Sequence, residues 1–363
     1  MTWPEARGRF PVLAQHAYLN AGTFGPLARA TLDAMAELRR WEGENGRGGK
    51  AYFETMLERR EAVRALIAEQ IAVPPDNLAL TDSTTGAVHI AVTGLGLGEG
   101  DEVVTTDAEH FGLSGPLIAS GASLRIARVR DARAADLFEL IRAQVTPRTR
   151  LLALSAVSWV DGKLFPWREL REATGLPVLI DGAQSAGALF EDASPADYYT
   201  VSAQKWLCGP DAMGALYVRE PDALRPRLVA YPSAESYDIA AGTWQPKDGA
   251  RRFDDTFAPA SSLAGLEAAL TDLPAGRFDR ARELAERCRD ALLAAGYEVV
   301  TEPGQATLVT LRWQGDTAEA VERLYGRGVI IRELPGLGLL RASVGWWNDG
   351  SDIERLVEGL ASL

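Results

Sequence analysis

Between residues 27 and 70 apolar side chains recur at helical spacing, as in "FETMLERREAVRALIAEQIAV". The glycine-rich stretch 44–53, "ENGRGGKAYF", interrupts the pattern and predicts a loop between two helices, the second ending at Pro74-Pro75. From there, helical stretches alternate with short apolar runs: "NLALT", "DEVVTT", "SLRIARV", "RLLALSAVS", "PVLIDGA", "DYYTVSA" and "GALYV". Runs that are β-branched and apolar on both faces predict parallel strands covered by helices. The order predicts an α/β domain over residues 19–249. After Pro246 the texture changes. "SSLAGLEAAL" and "RFDRARELAERCRDALLAAG" have helical spacing, while "EVV", "ATLVTLRW", "VIIREL" and "LLRASVGWW" look like strands of a smaller sheet. Residues 250–363, with 1–18, are expected to form a smaller α+β domain.

Composition narrows the function. The chain has 363 residues, 47% of them hydrophobic and 24% charged, with a formal net charge of −12. An acidic balance argues against nucleic acid and anionic membrane as partners, because both need a basic surface. The N-terminus carries charges where a signal peptide has an apolar run, no stretch is long enough to span a bilayer, and a cytoplasmic location is expected. Two cysteines, Cys208 and Cys288, make no metal-ligand spacing, and three histidines make no HExxH, so no metal site is expected.

Three short stretches carry candidate chemistry. "LTDSTTGAVHIAV" (80–92) runs strand, small hydroxyl residues, Gly86, helix, which is the order that cradles a phosphate; an ordinary Ser/Thr helix cap has the same look. "GLGLGEG" (94–100) has the reverse order, helix before strand, and is a helix stop rather than a dinucleotide fingerprint. "VLIDGAQSAG" (178–187) ends a strand on Asp181, with Gln184 following, where open α/β sheets bind ligands; a helix N-cap is the competing reading. "VSAQKWLCGPDAMGALYV" (201–218) holds one lysine, Lys205, in an otherwise nearly uncharged stretch. A solvated lysine at a strand end would explain it alone. Together, a phosphate cradle, a strand-end carboxylate and an isolated amine match the three handles of pyridoxal 5'-phosphate: its phosphate, its pyridine nitrogen and an aldehyde held as a lysine Schiff base.

These residues resemble those of class V aminotransferase-like pyridoxal phosphate enzymes of fold type I, and the resemblance runs from "YLNAGTFGPL" to "LLRASVGWWNDGSDIERL". Within that family the likeness is greatest to cyst(e)ine C–S lyases and isopenicillin-N-epimerase-like proteins, with cysteine desulfurases more distant. It implies a large domain with a mostly parallel seven-stranded sheet and a smaller C-terminal α+β domain. It also implies Lys205 as the Schiff-base lysine, Asp181 as partner of the pyridine nitrogen, Gln184 near the phenolic oxygen and His110, in "TTDAEHFG", stacked on the ring. Thr84, Thr85, Ser202 and Gln204 match the phosphate side, and Asn20, Trp159 and Arg341 the substrate side, with Arg341 gripping the α-carboxylate. Thr256, in "RRFDDTFAPASSLAGLEAAL", matches a residue that reaches the neighbouring subunit's phosphate, which implies a homodimer with active sites at the subunit interface.

Three positions and one stretch depart from the resemblance. Asp255 replaces a glycine before Thr256, Gln204 stands where many relatives have histidine, and Trp159 stands where desulfurases have asparagine. The stretch "GVIIRELPGLGLLR" is short and lacks the desulfurase cysteine. The expectation is therefore β-elimination on cystine or an S-substituted cysteine, giving pyruvate and ammonia. A class V aminotransferase or an amino-acid epimerase is the alternative, and a persulfide-forming desulfurase is disfavoured.

Overall fold

The computed structural model describes all residues, 1–363. The chain opens with a short helix, α1 (Trp3–Gly8), capped at both its backbone and side chain by the reciprocal pair Thr2 and Glu5. A two-residue strand, β1 (Ala17–Tyr18), leads to the long helices α2 (Arg29–Asn45) and α3 (Lys50–Gln70). The expected break between them is confined to residues 46–49, where Gly46 and Gly49 take φ of 77° and 89°, values that favour glycine.

The large sheet then forms from β2 (Leu78–Thr81), β3 (Glu102–Thr106), β4 (Ser123–Ala127), β5 (Thr149–Ser155), β6 (Val178–Asp181), β7 (Tyr198–Ser202) and β8 (Gly214–Val218). Helices α4 (Thr84–Leu95), α5 (Phe111–Ala119), α6 (Leu137–Arg142) and α7 (Trp167–Thr174) connect its first five strands. The order is β2-β8-β7-β6-β5-β3-β4, seven strands, and β8 alone runs antiparallel to its neighbours. Central strands are buried on both faces because helices cover both sides. β4 differs from the expectation of a strand apolar on both faces: Ser123, Arg125 and Ile126 are exposed, since it is the last strand of the sheet and has one neighbour only.

A hairpin of β9 (Ala234–Asp238) and β10 (Thr243–Pro246) follows, and then α8 (Ala260–Leu270). Leu263, Leu266, Ala269 and Leu270 of α8 share one apolar core with β6 and β7, so this helix lies against the large sheet. The smaller domain comprises α9 (Arg277–Ala294), β11 (Leu308–Arg312), α10 (Thr317–Tyr325), β12 (Val329–Ile330), β13 (Arg332–Leu334), β14 (Leu339–Ser343) and α11 (Gly350–Ala361). Its three-stranded sheet has the order β11-β14-β13, and β12 pairs with β1 instead. The strand expected at "EVV" is reduced to one bridge between Val299 and Leu311, flanked by hydrogen bonds from Val300 N to the Thr310 carbonyl at 2.9 Å and from Arg312 N to the Glu298 carbonyl at 2.8 Å. No helix is long and apolar enough to cross a membrane.

One buried charge cluster ties α3 to the segment before α8. Asp254, 2% exposed, accepts from Arg60 Nη2 at 2.9 Å, Arg64 Nη1 at 3.0 Å and the Leu80 N–H at 2.8 Å. Removing the carboxylate leaves buried Arg60 with no charge partner and buried Arg64 with only Glu61, which is open to solvent. Asp254→Ala should lower unfolding free energy by about 3–5 kcal/mol, read as a shift of the urea midpoint; a midpoint unchanged from wild type would count against this account.

Candidate active site

Every strand end that matters opens on one edge of the large sheet. Asp181 ends β6, Ser155 ends β5, and Ser202 ends β7 just before Lys205. His110 and Ser83 cap the helices that follow β3 and β2. The carboxyl edge of a parallel sheet is where open α/β folds bind ligands, because the loops there point the same way. Opposite stands the smaller domain, whose β14 contributes Arg341.

Together they enclose a cavity of about 180 Å³ lined by Thr84, Thr85, His110, Trp159, Asp181, Gln184, Ser202, Gln204, Lys205 and Arg341 among eighteen residues. Ten of the twelve expected site residues therefore face one space. The other two do not line it. Asn20 turns inward on its own segment, its Oδ1 accepting from Thr23 Oγ1 at 2.9 Å. Thr256 is exposed, and its carbonyl accepts from Arg60 at 3.0 Å. Ser83, Thr23, Ser155 and Arg332 also line the cavity and were not anticipated. Ser83 was legible as the N-cap of the hydroxyl run. Arg332 was not, because only the pairing of β13 with β14 sets it beside Arg341, its register partner.

The side chains are held in place by local bonds. His110 Nδ1 accepts the Gly112 N–H at 3.0 Å, which leaves Nε2 as the protonated nitrogen of the neutral ring. Its ring meets Trp159 edge-on, with centroids 5.3 Å apart. Burial, then the Lys205 cation, hold the imidazole below its ordinary pKa and so favour the neutral form. Gln184 is committed at both ends, donating to the Gly22 carbonyl and accepting from Trp206 Nε1, each at 2.9 Å. Its role is thus to tie the N-terminal segment to the lysine turn as much as to meet a ligand. Ser202 Oγ donates to Gln204 Oε1 at 3.0 Å.

Lys205 is the least ordinary group. Burial lowers its amine from 10.5 to about 8; Asp181 opposes that shift, and Arg341 and Arg332 add to it. Arg341 is 1% exposed, donates Nη1 to the Trp159 carbonyl at 2.5 Å, and keeps a buried Nε without a partner. Burial and Arg332 disfavour its charge, so an anion in the cavity would stabilise it.

The set fits pyridoxal phosphate. Thr84 Oγ1, Trp159 Nε1 and Arg341 Nε are buried donors without partners, and unsatisfied buried polar atoms call for a ligand. The α4 N-terminus supplies backbone N–H groups for a phosphate. Asp181 spends Oδ1 on the Ala183 N–H at 2.9 Å, which orients the carboxylate that a pyridinium nitrogen needs. Lys205 supplies an amine that can shed its proton near neutral pH.

Fold and cavity define a pyridoxal-phosphate-dependent enzyme of fold type I. A model of the Aminotransferase class-V family matches residues 17–356, and the chain belongs to that family. It is 29% identical to isopenicillin N epimerase of Amycolatopsis lactamdurans across 99% of this chain and 98% of the relative. It is 25% identical to the cysteine desulfurase CsdA of Escherichia coli (strain K12), across 98% and 96%. Two structures of C-DES, 27% identical, superpose with a TM-score of 0.90 over 98% of this chain and 99% of theirs. One is a mutant with glycine covalently linked to its PLP cofactor, and the other is the cystine C–S lyase with its reaction product cysteine persulfide.

Two measurements test the lysine. Lys205→Ala should lose the visible absorption band of lysine-bound cofactor, and a normal band in that variant would refute the assignment. In the wild-type apoprotein, the rate of cofactor capture should rise about tenfold per pH unit as the amine deprotonates and level off near pH 8. A plateau reached only near pH 10 would show an amine that the site does not desolvate.

Proposed function

We propose that this enzyme is a C–S lyase that cleaves cystine, or an S-substituted cysteine bearing a second acidic group, to pyruvate and ammonia. The observation that carries the reading is the pair of arginines. Arg332 and Arg341 are cross-strand partners on β13 and β14, and both line the cavity that holds Lys205. One guanidinium takes the α-carboxylate as a bidentate fork. The other requires a second anion, and cystine carries one on its far half. Arg332 Nη1 donates to Thr23 Oγ1 at 3.2 Å, which steadies it beside the N-terminal segment.

Pyridoxal phosphate, when bound, supplies an electron sink for the charge left at the substrate's Cα. Asp181 would hold the ring nitrogen in its protonated form, and His110, as a neutral imidazole, would pack against the ring. Lys205 Nζ takes the Cα proton; a neutral amine is required, and burial provides it. The Cβ–S bond then breaks and sulfur leaves with the bonding pair. With cystine and one water, the products are pyruvate, ammonia and cysteine persulfide, a product that C-DES also forms.

The chain's own cysteines support no persulfide relay. Cys208 and Cys288 are 6% and 0% exposed and neither lines the cavity. Burial pushes the Cys288 thiol up to about 12 and that of Cys208 further, away from the reactive thiolate. Residues 335–338, which join β13 to β14, contain no cysteine. Epimerisation is the second reading, favoured by the 29% identity to an isopenicillin N epimerase over nearly the whole chain; transamination shares its first steps. Epimerisation needs a proton donor facing Lys205 across Cα. On the substrate side this chain offers Arg332, Arg341, Trp159 and Thr23, none of them suited to that task. We also infer a homodimer, to which the exposed β9–β10 hairpin, with Tyr237 and Ile239, would contribute apolar surface.

Incubation of the loaded enzyme with cystine should release pyruvate continuously. No pyruvate, together with conversion to the pyridoxamine form, would make it an aminotransferase, and inversion at Cα without pyruvate would make it an epimerase. Arg332→Ala should reduce kcat/KM for cystine by about 10- to 100-fold, the worth of one charge-assisted pair. It should leave S-methylcysteine, which has one carboxylate, within about threefold of wild type, well under one such pair. Equal losses on both would remove Arg332 from side-chain recognition.

A further inference from the structure

The residue before Thr256 is an aspartate, and it stands directly behind the N-terminus of α4. A methyl group placed on Gly86 would lie 2.5 Å from Asp82 Oδ1 and 3.3 Å from Asp255 Oδ2, so both carboxylates converge on the same backbone position. Asp82 Oδ1 accepts the Ser83 hydroxyl at 2.7 Å, and Ser83 Oγ in turn takes the Gly86 N–H at 3.0 Å. Asp255 is partly buried, and its Oδ1 is sealed from solvent with no hydrogen-bond partner. Neither acid lines the cavity; Ser83, Thr84 and Thr85, on the other side of this turn, do.

The neighbouring charges do not neutralise Asp255. Asp82 faces it from the β2–α4 turn and Asp254 from its own segment. The cations beside that segment, Arg60 and Arg64 of α3, are bound to Asp254 at 2.9 Å each, and Arg60 also holds the Thr256 carbonyl at 3.0 Å. Those same bonds prevent the segment from swinging away, so the carboxyl is held where it is.

We propose that Asp255, with Asp82, opposes the cofactor's phosphate across the α4 N-terminus, so that protonation of Asp255 strengthens phosphate retention and its ionisation weakens it. The proposal rests on the reading of residues 83–86 as the phosphate cradle. Burial first, and then the charge of Asp82, raise the Asp255 carboxyl from 3.8 to about 6. A phosphate arriving on the far side raises it further, so binding takes up a proton. The sign follows: affinity for the phosphate is greatest below about pH 6 and falls as pH rises through and above that value.

The test compares apoprotein affinity for pyridoxal phosphate and for pyridoxal, which lacks the phosphate, by absorbance titration between pH 5 and 8.5 in wild type, Asp255→Asn and Asp255→Gly. Titration of Lys205 and of the ligand is common to all forms and cancels in the ratios. Both variants should bind pyridoxal phosphate roughly tenfold more tightly than wild type at pH 8, the scale of one unscreened like charge near the site, and converge with it at pH 5. Pyridoxal affinity should be the same in all three. A ratio that is flat with pH, weaker binding in both variants, or an equal change for pyridoxal overturns the proposal. Thr84→Ala separates the two layers of the argument. If it weakens pyridoxal phosphate but not pyridoxal while the Asp255 ratio stays flat, the cradle stands and the Asp255 proposal alone falls. If Thr84→Ala changes neither, both fall.

Discussion

Lys205 and Arg341 come from different domains, and everything the cavity can do depends on one thread of chain that fixes them relative to each other. Residues 17–25 are that thread. Ala17 and Leu19 donate backbone N–H groups to Gly328 and Ile330 at 2.8 and 2.9 Å, and Ser343, two residues past Arg341, donates to Leu19 at 2.7 Å. Six residues on, Gly25 donates to the Gln204 carbonyl at 2.7 Å, one position before the lysine. Glycine is required where the thread squeezes through. A methyl group on Gly25 would sit 2.0 Å from the Lys205 carbonyl oxygen, and one on Gly22 would sit 2.8 Å from Arg341 Nη2. Hydrogen bonds at both ends and a glycine at each close approach make the spacing between amine and guanidinium a property of the backbone.

The electrostatics of the cavity follow from that close approach. Lys205, Arg332 and Arg341 share a small space with Asp181. Burial first, and then the neighbouring arginine charges, depress the amine of Lys205 against the pull of Asp181, so that it becomes available near neutral pH. The same imbalance is a specificity device. Anionic groups that enter this space would relieve its excess positive charge, and a ligand without one would gain nothing from it.

The fold was legible because its signals are periodic and local. Parallel strands buried on both faces are apolar throughout, and the helices between them repeat at 3.6 residues. The features that sequence left unread depend on which elements meet. β4 has the composition of a buried strand, yet lies at the sheet's edge, a fact of strand order alone. "EVV" has strand propensity but pairs with β11 over one bridge only, too short to form a strand. Helix α8 follows the change in texture after Pro246, yet its leucines complete the core under β6 and β7. For the site, Lys205, Asp181 and the hydroxyl run stand at strand ends that any α/β reading would flag. Arg332 has no local signal; Asn20 does not line the cavity but bonds Thr23, which does, and Thr256, expected at the neighbouring subunit's phosphate, lies outside this chain's own cavity.

Trp159 shows how the two halves of the chemistry are joined. Its ring sits edge-on against His110, and its carbonyl accepts from Arg341 Nη1. The loop that carries it is anchored to the smaller domain through Thr310 Oγ1 on the Val160 carbonyl at 2.7 Å and Thr301 Oγ1 on the Asp161 carbonyl at 3.0 Å. Gly162 permits the contact, since at φ 76° its backbone lies where a side chain would strike the Leu308 carbonyl. The Trp159 carbonyl takes Nη1 and leaves Arg341 Nε without a partner, so the bond orients the guanidinium without using up its donors. One residue thus sets two others: its backbone fixes a buried arginine of the smaller domain, and its ring packs against the histidine that follows β3.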